Sequence, residues 1–77
     1  MDKQYLKSAE AIKLLNQGKV IYYDTTDGYT SMKKKSGGKY EIKVFTDGVN
    51  EAKVFNGNMQ NVLITINKRF KDKCYLR

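Results

Sequence analysis

Lys39-Tyr40-Glu41-Ile42-Lys43-Val44-Phe45-Thr46 alternates with a period of two, placing Tyr40, Ile42 and Val44 on one side and Lys39, Glu41 and Lys43 on the other. A strand with one apolar and one charged face belongs to an antiparallel sheet that is packed on one side and wet on the other. Both ends of this stretch carry reversal chemistry. Upstream, Ser36-Gly37-Gly38 makes a tight turn after a strand predicted from Tyr29 to Lys35. Downstream, Asp47-Gly48 is a hairpin signal, followed by a short strand from Glu51 to Phe55 that Asn56-Gly57 closes.

Moving outward, Asp24-Thr25-Thr26-Asp27-Gly28 is turn chemistry, and Val20 to Asp24 before it is a β-branched and aromatic strand. Ser8 reads as a helix N-cap, with Glu10 near the positive end of the helix dipole. The helix runs to about Gln17, with Ile12 and Leu15 on one stripe flanked by Ala11 and Leu14, and Gly18 ends it. Residues 58–70 support two readings. Met59, Val62, Leu63, Ile66 and Phe70 follow helical spacing behind a capping Asn58, whereas Val62, Ile64 and Ile66 follow strand spacing. The β-branched run, Thr65 included, tips the reading to strand, with Asp72-Lys73 turning into a last short strand from Cys74 to Leu76.

The expectation is an α+β domain: one N-terminal helix packed on an antiparallel meander of four to six strands, each beside its neighbour in sequence, with a partial barrel as its curled form. The 77 residues make one small domain with no linker, repeat or low-complexity segment. So small a core is marginal, and pairing into a homodimer is one way to supplement it.

Composition excludes much. Without His, neither a Ser-His-Asp triad nor a Cys-His pair can be built. One Cys and no His cannot make a zinc site, and Cys74 has no partner for an intramolecular disulfide, which suits a reducing compartment. Lys71, Lys73 and Arg77 near Cys74 would lower its pKa. Its plainer role is a half-buried filler of the terminal strand. Asp24 and Asp27 open like an oxygen-rich calcium loop but lack its later Glu, so the turn is their better explanation. Gly37 and Gly38 between Lys35 and Lys39 would let a phosphate approach the backbone, yet they match no nucleotide-binding pattern, and a plain hairpin turn accounts for them better. The eight carboxylates are scattered over turns and helix. The expectation is a protein that is not an enzyme and takes no metal or cofactor. No apolar run reaches the length of a membrane span and the opening has no signal-peptide core, so a cytoplasmic protein without a membrane partner is expected.

The net charge of +7 is concentrated. Residues 32–43 carry Lys33, Lys34, Lys35, Lys39 and Lys43 against Glu41 alone; residues 67–77 carry Lys68, Arg69, Lys71, Lys73 and Arg77 against Asp72 alone. Such segments are the footprint of a phosphate-backbone ligand if the fold joins them. Tyr22, Tyr23, Tyr29, Tyr40 and Tyr75 offer stacking platforms, with Tyr29, beside a turn, the best exposed and Tyr40 placed in the core by its alternation. Against this, 13 of the 15 basic residues are Lys, which read bases poorly, and Lys33 to Lys35 also suit an edge that resists aggregation. The candidate binding residues are therefore Lys33, Lys34, Lys35, Lys39, Lys43, Lys68, Arg69, Lys71, Lys73 and Tyr29, facing either nucleic acid or an acidic protein or ribonucleoprotein.

Ala9-Glu10-Ala11-Ile12, Leu14-Leu15 and Gly18-Lys19-Val20 form an opening that resembles small proteins encoded by phages and mobile elements, among them anti-defence inhibitors. The resemblance covers about a dozen residues. The chain lacks the Trp that follows in one such family, whose members act as nucleotide-signal sponges, so no functional residue is carried over. The resemblance implies a setting: an accessory protein in host cytoplasm that inhibits a nucleic-acid enzyme or defence complex, as anti-CRISPR proteins do. Inhibitors that mimic DNA are mostly acidic. A basic one would instead dock on an acidic protein surface or a guide RNA.

Overall fold

The computed structural model describes residues 4–77. Along the chain come β1 (Tyr5–Leu6), α1 (Ser8–Asn16), β2 (Ile21–Thr25), β3 (Gly28–Lys34), β4 (Tyr40–Thr46), β5 (Lys53–Gly57), α2 (Met59–Ile64) with a π-helical extension (Thr65–Arg69), and β6 (Cys74–Tyr75). The six strands form one antiparallel sheet in the order β1-β6-β2-β3-β4-β5, an α+β architecture as expected. The sheet is open rather than closed, with β1 and β5 as its edges.

The β2–β5 meander follows its turn signals. Thr26 and Asp27 link paired Thr25 and Gly28, and a short 3-10 turn at Ser36–Gly38 joins β3 to β4. Gly28 is obligatory: a Cβ there would collide with the Phe45 carbonyl of the adjacent strand. The α1 helix ends in a Schellman arrangement, Lys19 N–H donating to the Leu14 carbonyl and Gly18 N–H to that of Leu15, with Gly18 at φ 93°.

Three expectations are corrected. First, residues 59–69 are helical. Asn58 and Asn61 form a capping box, each side-chain carbonyl oxygen accepting the other's backbone N–H at 2.9 and 3.1 Å. The Thr65 hydroxyl then donates back to the Asn61 carbonyl, and Phe70 N–H reaches the Thr65 carbonyl, widening the last turns into the π extension. Helical spacing wins because Val62 and Ile66 are buried while Ile64, which strand spacing would set beside them, is 44% exposed. Second, the sheet is not sequential throughout: β6 inserts between β1 and β2, pairing Tyr75 with both Tyr5 and Tyr22. Third, Lys7 rather than Ser8 caps α1; Ser8 is the first helical residue, and its hydroxyl donates to the Ile66 carbonyl at 3.0 Å.

Both helices cover one face of the sheet. There Ala11 and Leu15 of α1, Val62 and Ile66 of the second helix, and Ile21, Met32, Tyr40 and Cys74 of four strands form the buried core. Tyr40 is buried, as its alternation predicts, and its hydroxyl reaches Asn16 Oδ1 at 2.9 Å. Tyr23 lies on the same side, its ring 4.0 Å from that of Phe70; burial is the main cause that pushes its hydroxyl pKa up. No helix among the described residues is long and apolar enough to cross a membrane.

Candidate functional site

Since successive side chains alternate, fixing the core face also fixes what points the other way. Register places three rows on the helix-free face. Tyr5, Tyr75, Tyr22, Ser31, Lys43 and Val54 form one row across all six strands. Asp24, Tyr29 and Phe45 form a second beside it, and Lys33, Glu41 and Asn56 a third on the opposite side.

Between these rows lies an open cleft of about 320 Å³. Ser31 is its small floor residue. Tyr22, Tyr29 and Phe45 stand at one end, Lys33, Lys35, Lys43 and Glu41 at the other, and Val20 and Arg77 complete the lining. The aromatic end is tightly ordered: the Tyr29 and Phe45 rings stack at 4.6 Å between centroids, and Tyr22 lies 6.1 Å from Tyr29. Tyr75 stacks on Tyr22 at 6.0 Å, meets Tyr5 edge-on at 6.1 Å, and donates its hydroxyl proton to Asp24 at 2.6 Å. Tyr75 is thereby sealed at 2% exposure, whereas Tyr5 at the sheet edge is 54% exposed.

Arg77 lies across the aromatic end, its guanidinium carbon 4.2 Å from the Tyr29 ring centre and 5.3 Å from that of Tyr22. Hydrogen bonding to Tyr29 is the main cause that raises its pKa further, so the charge is permanent. At the lysine end, Glu41 ion-pairs with Lys43 at 3.6 Å and Lys35 at 3.8 Å. These pairs are partly exposed and contribute little to stability. They gather the ammonium groups at one place instead.

Of the ten candidate residues, the structure brings Tyr29, Lys33, Lys35 and Lys43 together around the cleft. Lys34 does not join them, because its register partner is the core residue Tyr40. Lys39 is exposed in the hairpin turn. Lys68 and Arg69 sit on the π extension, which packs against α1 on the covered side, and Lys71 and Lys73 follow in the connection to β6; none of the four lines the cleft. The two basic segments therefore meet only through Arg77, and the other four cations of the second segment stay outside the cleft.

Tyr22, Phe45, Glu41 and Arg77 belong to the site without having been candidates. Tyr22 had been read as a stacking platform and Arg77 as part of the second basic segment, whereas nothing in the sequence pointed to Phe45. Cys74 points into the core, where burial pushes its thiol pKa up to about 11, opposite to the effect expected of nearby lysines. Among the described residues no group of three or more Cys, Asp or Glu is arranged to hold a metal ion. No protein-family model, curated protein or solved structure matches the chain.

Proposed function

We propose that this protein is a non-enzymatic binding module that engages nucleic acid through the open face of its sheet. The observation that carries this reading is the cleft itself. Three lysines, an arginine and three aromatic side chains line one cleft on a face that neither helix covers. Cations answer phosphates and ring faces answer bases, and a sheet presenting both is a surface for nucleic acid. Chemistry at this site has little support, because its one carboxylate is already engaged by two lysines and no second acid joins it in the lining.

The test is a comparison of two charge-removing sets. Replacing Lys33, Lys35 and Lys43 by Gln lowers affinity for nucleic acid and flattens the dependence of log K on log salt by about 2. Replacing Lys68, Arg69, Lys71 and Lys73 by Gln changes affinity much less. The reverse ranking transfers the site to the helical side. No binding of any nucleic acid at about 0.15 M salt ends the reading altogether.

A second reading rests on the helical side. There Ile64 is 44% exposed and stands one turn from Lys68, a mixed apolar and basic surface suited to an acidic protein. In that case the chain is an accessory inhibitor of the phage type, acting on a host protein or ribonucleoprotein. Substituting Ile64→Glu and Lys68→Glu then abolishes capture of the partner and leaves the cleft intact.

A further inference from the structure

Resting on the nucleic-acid reading above, we infer that the open face takes an unpaired strand, with a base laid flat on the guanidinium of Arg77. Three features of the cleft point the same way. Its aromatic groups form one layered block, Tyr29 and Phe45 stacked on each other with Arg77 across Tyr29, and all three line the opening. A duplex keeps its base faces inside its own stack, so only an unpaired strand uses these surfaces.

The cations are also arranged for one backbone. Lys35 and Lys43 converge on Glu41 at one end, with Lys33 opposite Glu41 in register, and the aromatic groups hold the other. A duplex groove about 12 Å wide would need cations along both rims to meet its two phosphate chains. Both helices lie on the far side, leaving nothing here to enter a groove.

Arg77 supplies the third feature. Its guanidinium carbon lies 4.2 Å from the Tyr29 ring centre and 5.3 Å from that of Tyr22, so the cation is held over the aromatic end of the cleft. Guanidinium planes accept bases by stacking as aromatic rings do. Held in this way, Arg77 adds a layer beside the stacked Tyr29 and Phe45 rings. A base on that layer places its phosphate toward Lys33 and Lys43 across the Ser31 floor.

The experiment is fluorescence anisotropy with the full chain at about 0.15 M salt. The probes are 12-nucleotide single-stranded DNA, single-stranded RNA of the same sequence, and the matching DNA duplex. Single strands bind about tenfold tighter than the duplex, and the two single-stranded arms show whether the sugar matters. Arg77→Lys keeps the charge and loses the plane; it weakens single-strand binding about fivefold and leaves the salt slope unchanged. Phe45→Leu gives an independent loss of similar size. Duplex binding equal to or tighter than single-strand binding overturns the inference while leaving the nucleic-acid reading standing. Undiminished affinity in both variants does the same. Silence of all three probes overturns both.

Discussion

Ser8 and Asp72 hydrogen-bond reciprocally: Ser8 N–H donates to Asp72 Oδ1 at 3.1 Å, and Asp72 N–H donates to Ser8 Oγ at 3.2 Å. The carboxylate thus answers a free N–H at the start of α1 from the turn that leads into β6. Asp72 sits at φ 56°, in the left-handed region that Asp and Asn tolerate better than other side chains. Asp72→Ala therefore lowers stability by about 1–2 kcal/mol. Asp72→Asn keeps both an acceptor oxygen and the backbone preference and recovers most of it. Urea titration followed by circular dichroism measures both, and an unchanged midpoint for the Ala variant removes the pair from the account of stability.

Ser31 offers a way to close the site without touching a charge. Its neighbours in register are Tyr22 and Lys43, and its short side chain leaves the floor of the cleft low. Ser31→Phe fills that floor, and affinity for nucleic acid falls at least about tenfold while net charge stays the same. An unchanged affinity in a folded Ser31→Phe protein means the ligand lies elsewhere.

Glu41 is the misplaced sign in a cationic cluster, and its removal has a direction. With Glu41→Gln, Lys35 and Lys43 lose their partner carboxylate and are released toward phosphate. Binding tightens by about twofold to fivefold at low salt, and the gain shrinks as salt rises. Folding stability moves by less than about 0.5 kcal/mol, as for other exposed pairs. Weaker binding in this variant would instead give the carboxylate a direct role in holding the ligand.

The thiol of Cys74 contributes to the alkaline pH dependence, together with the buried Tyr23 hydroxyl. Its pKa is raised by burial from the ordinary 9.0 to about 11, so the folded state holds its proton where the unfolded chain has lost it. The contribution is fully present below pH 9, declines as pH rises from 9, and is gone above about 11. Cys74→Ala removes the part of the decline that begins at pH 9 and leaves the part that Tyr23 adds from pH 10, which denaturant titrations between pH 8 and 11 detect. At pH 8 the native thiol reacts with iodoacetamide far more slowly than the unfolded one. Equal rates would place the sulfur in contact with solvent.

The meander was legible because its turns are chemically explicit: Gly28, Gly37 and Gly48 stand where strands reverse, and Tyr40, Ile42 and Val44 declare their buried face. Residues 59–69 were not, since Val62 and Ile66 satisfy both periods and the deciding contacts are a box built from two asparagines and the core that α1 supplies. The cleft was half legible. Lys33, Lys43 and Tyr29 could be named from composition and position. Phe45 and Tyr22 reach Tyr29 only through the register of three strands, and Arg77 reaches it only because β6 returns to the middle of the sheet. The same parity removes Lys34, one residue from Lys33 in sequence and on the other side of the sheet.

That return of β6 also determines the order in which the molecule comes apart. The pairings among β2, β3, β4 and β5 close short loops, whereas those of β6 join residues far apart in the chain, and β1 is held in the sheet by β6 alone. The expected outcome is that the β6 seam opens first, checked by whether its amide protons exchange with solvent sooner than those of β3 and β4. Arg77 is mounted just beyond that seam, and the lysines are mounted on the slow-exchanging meander. On the nucleic-acid reading proposed above, a bound strand would bridge the meander and the β6 seam, and amide exchange at Cys74 and Tyr75 would slow on binding.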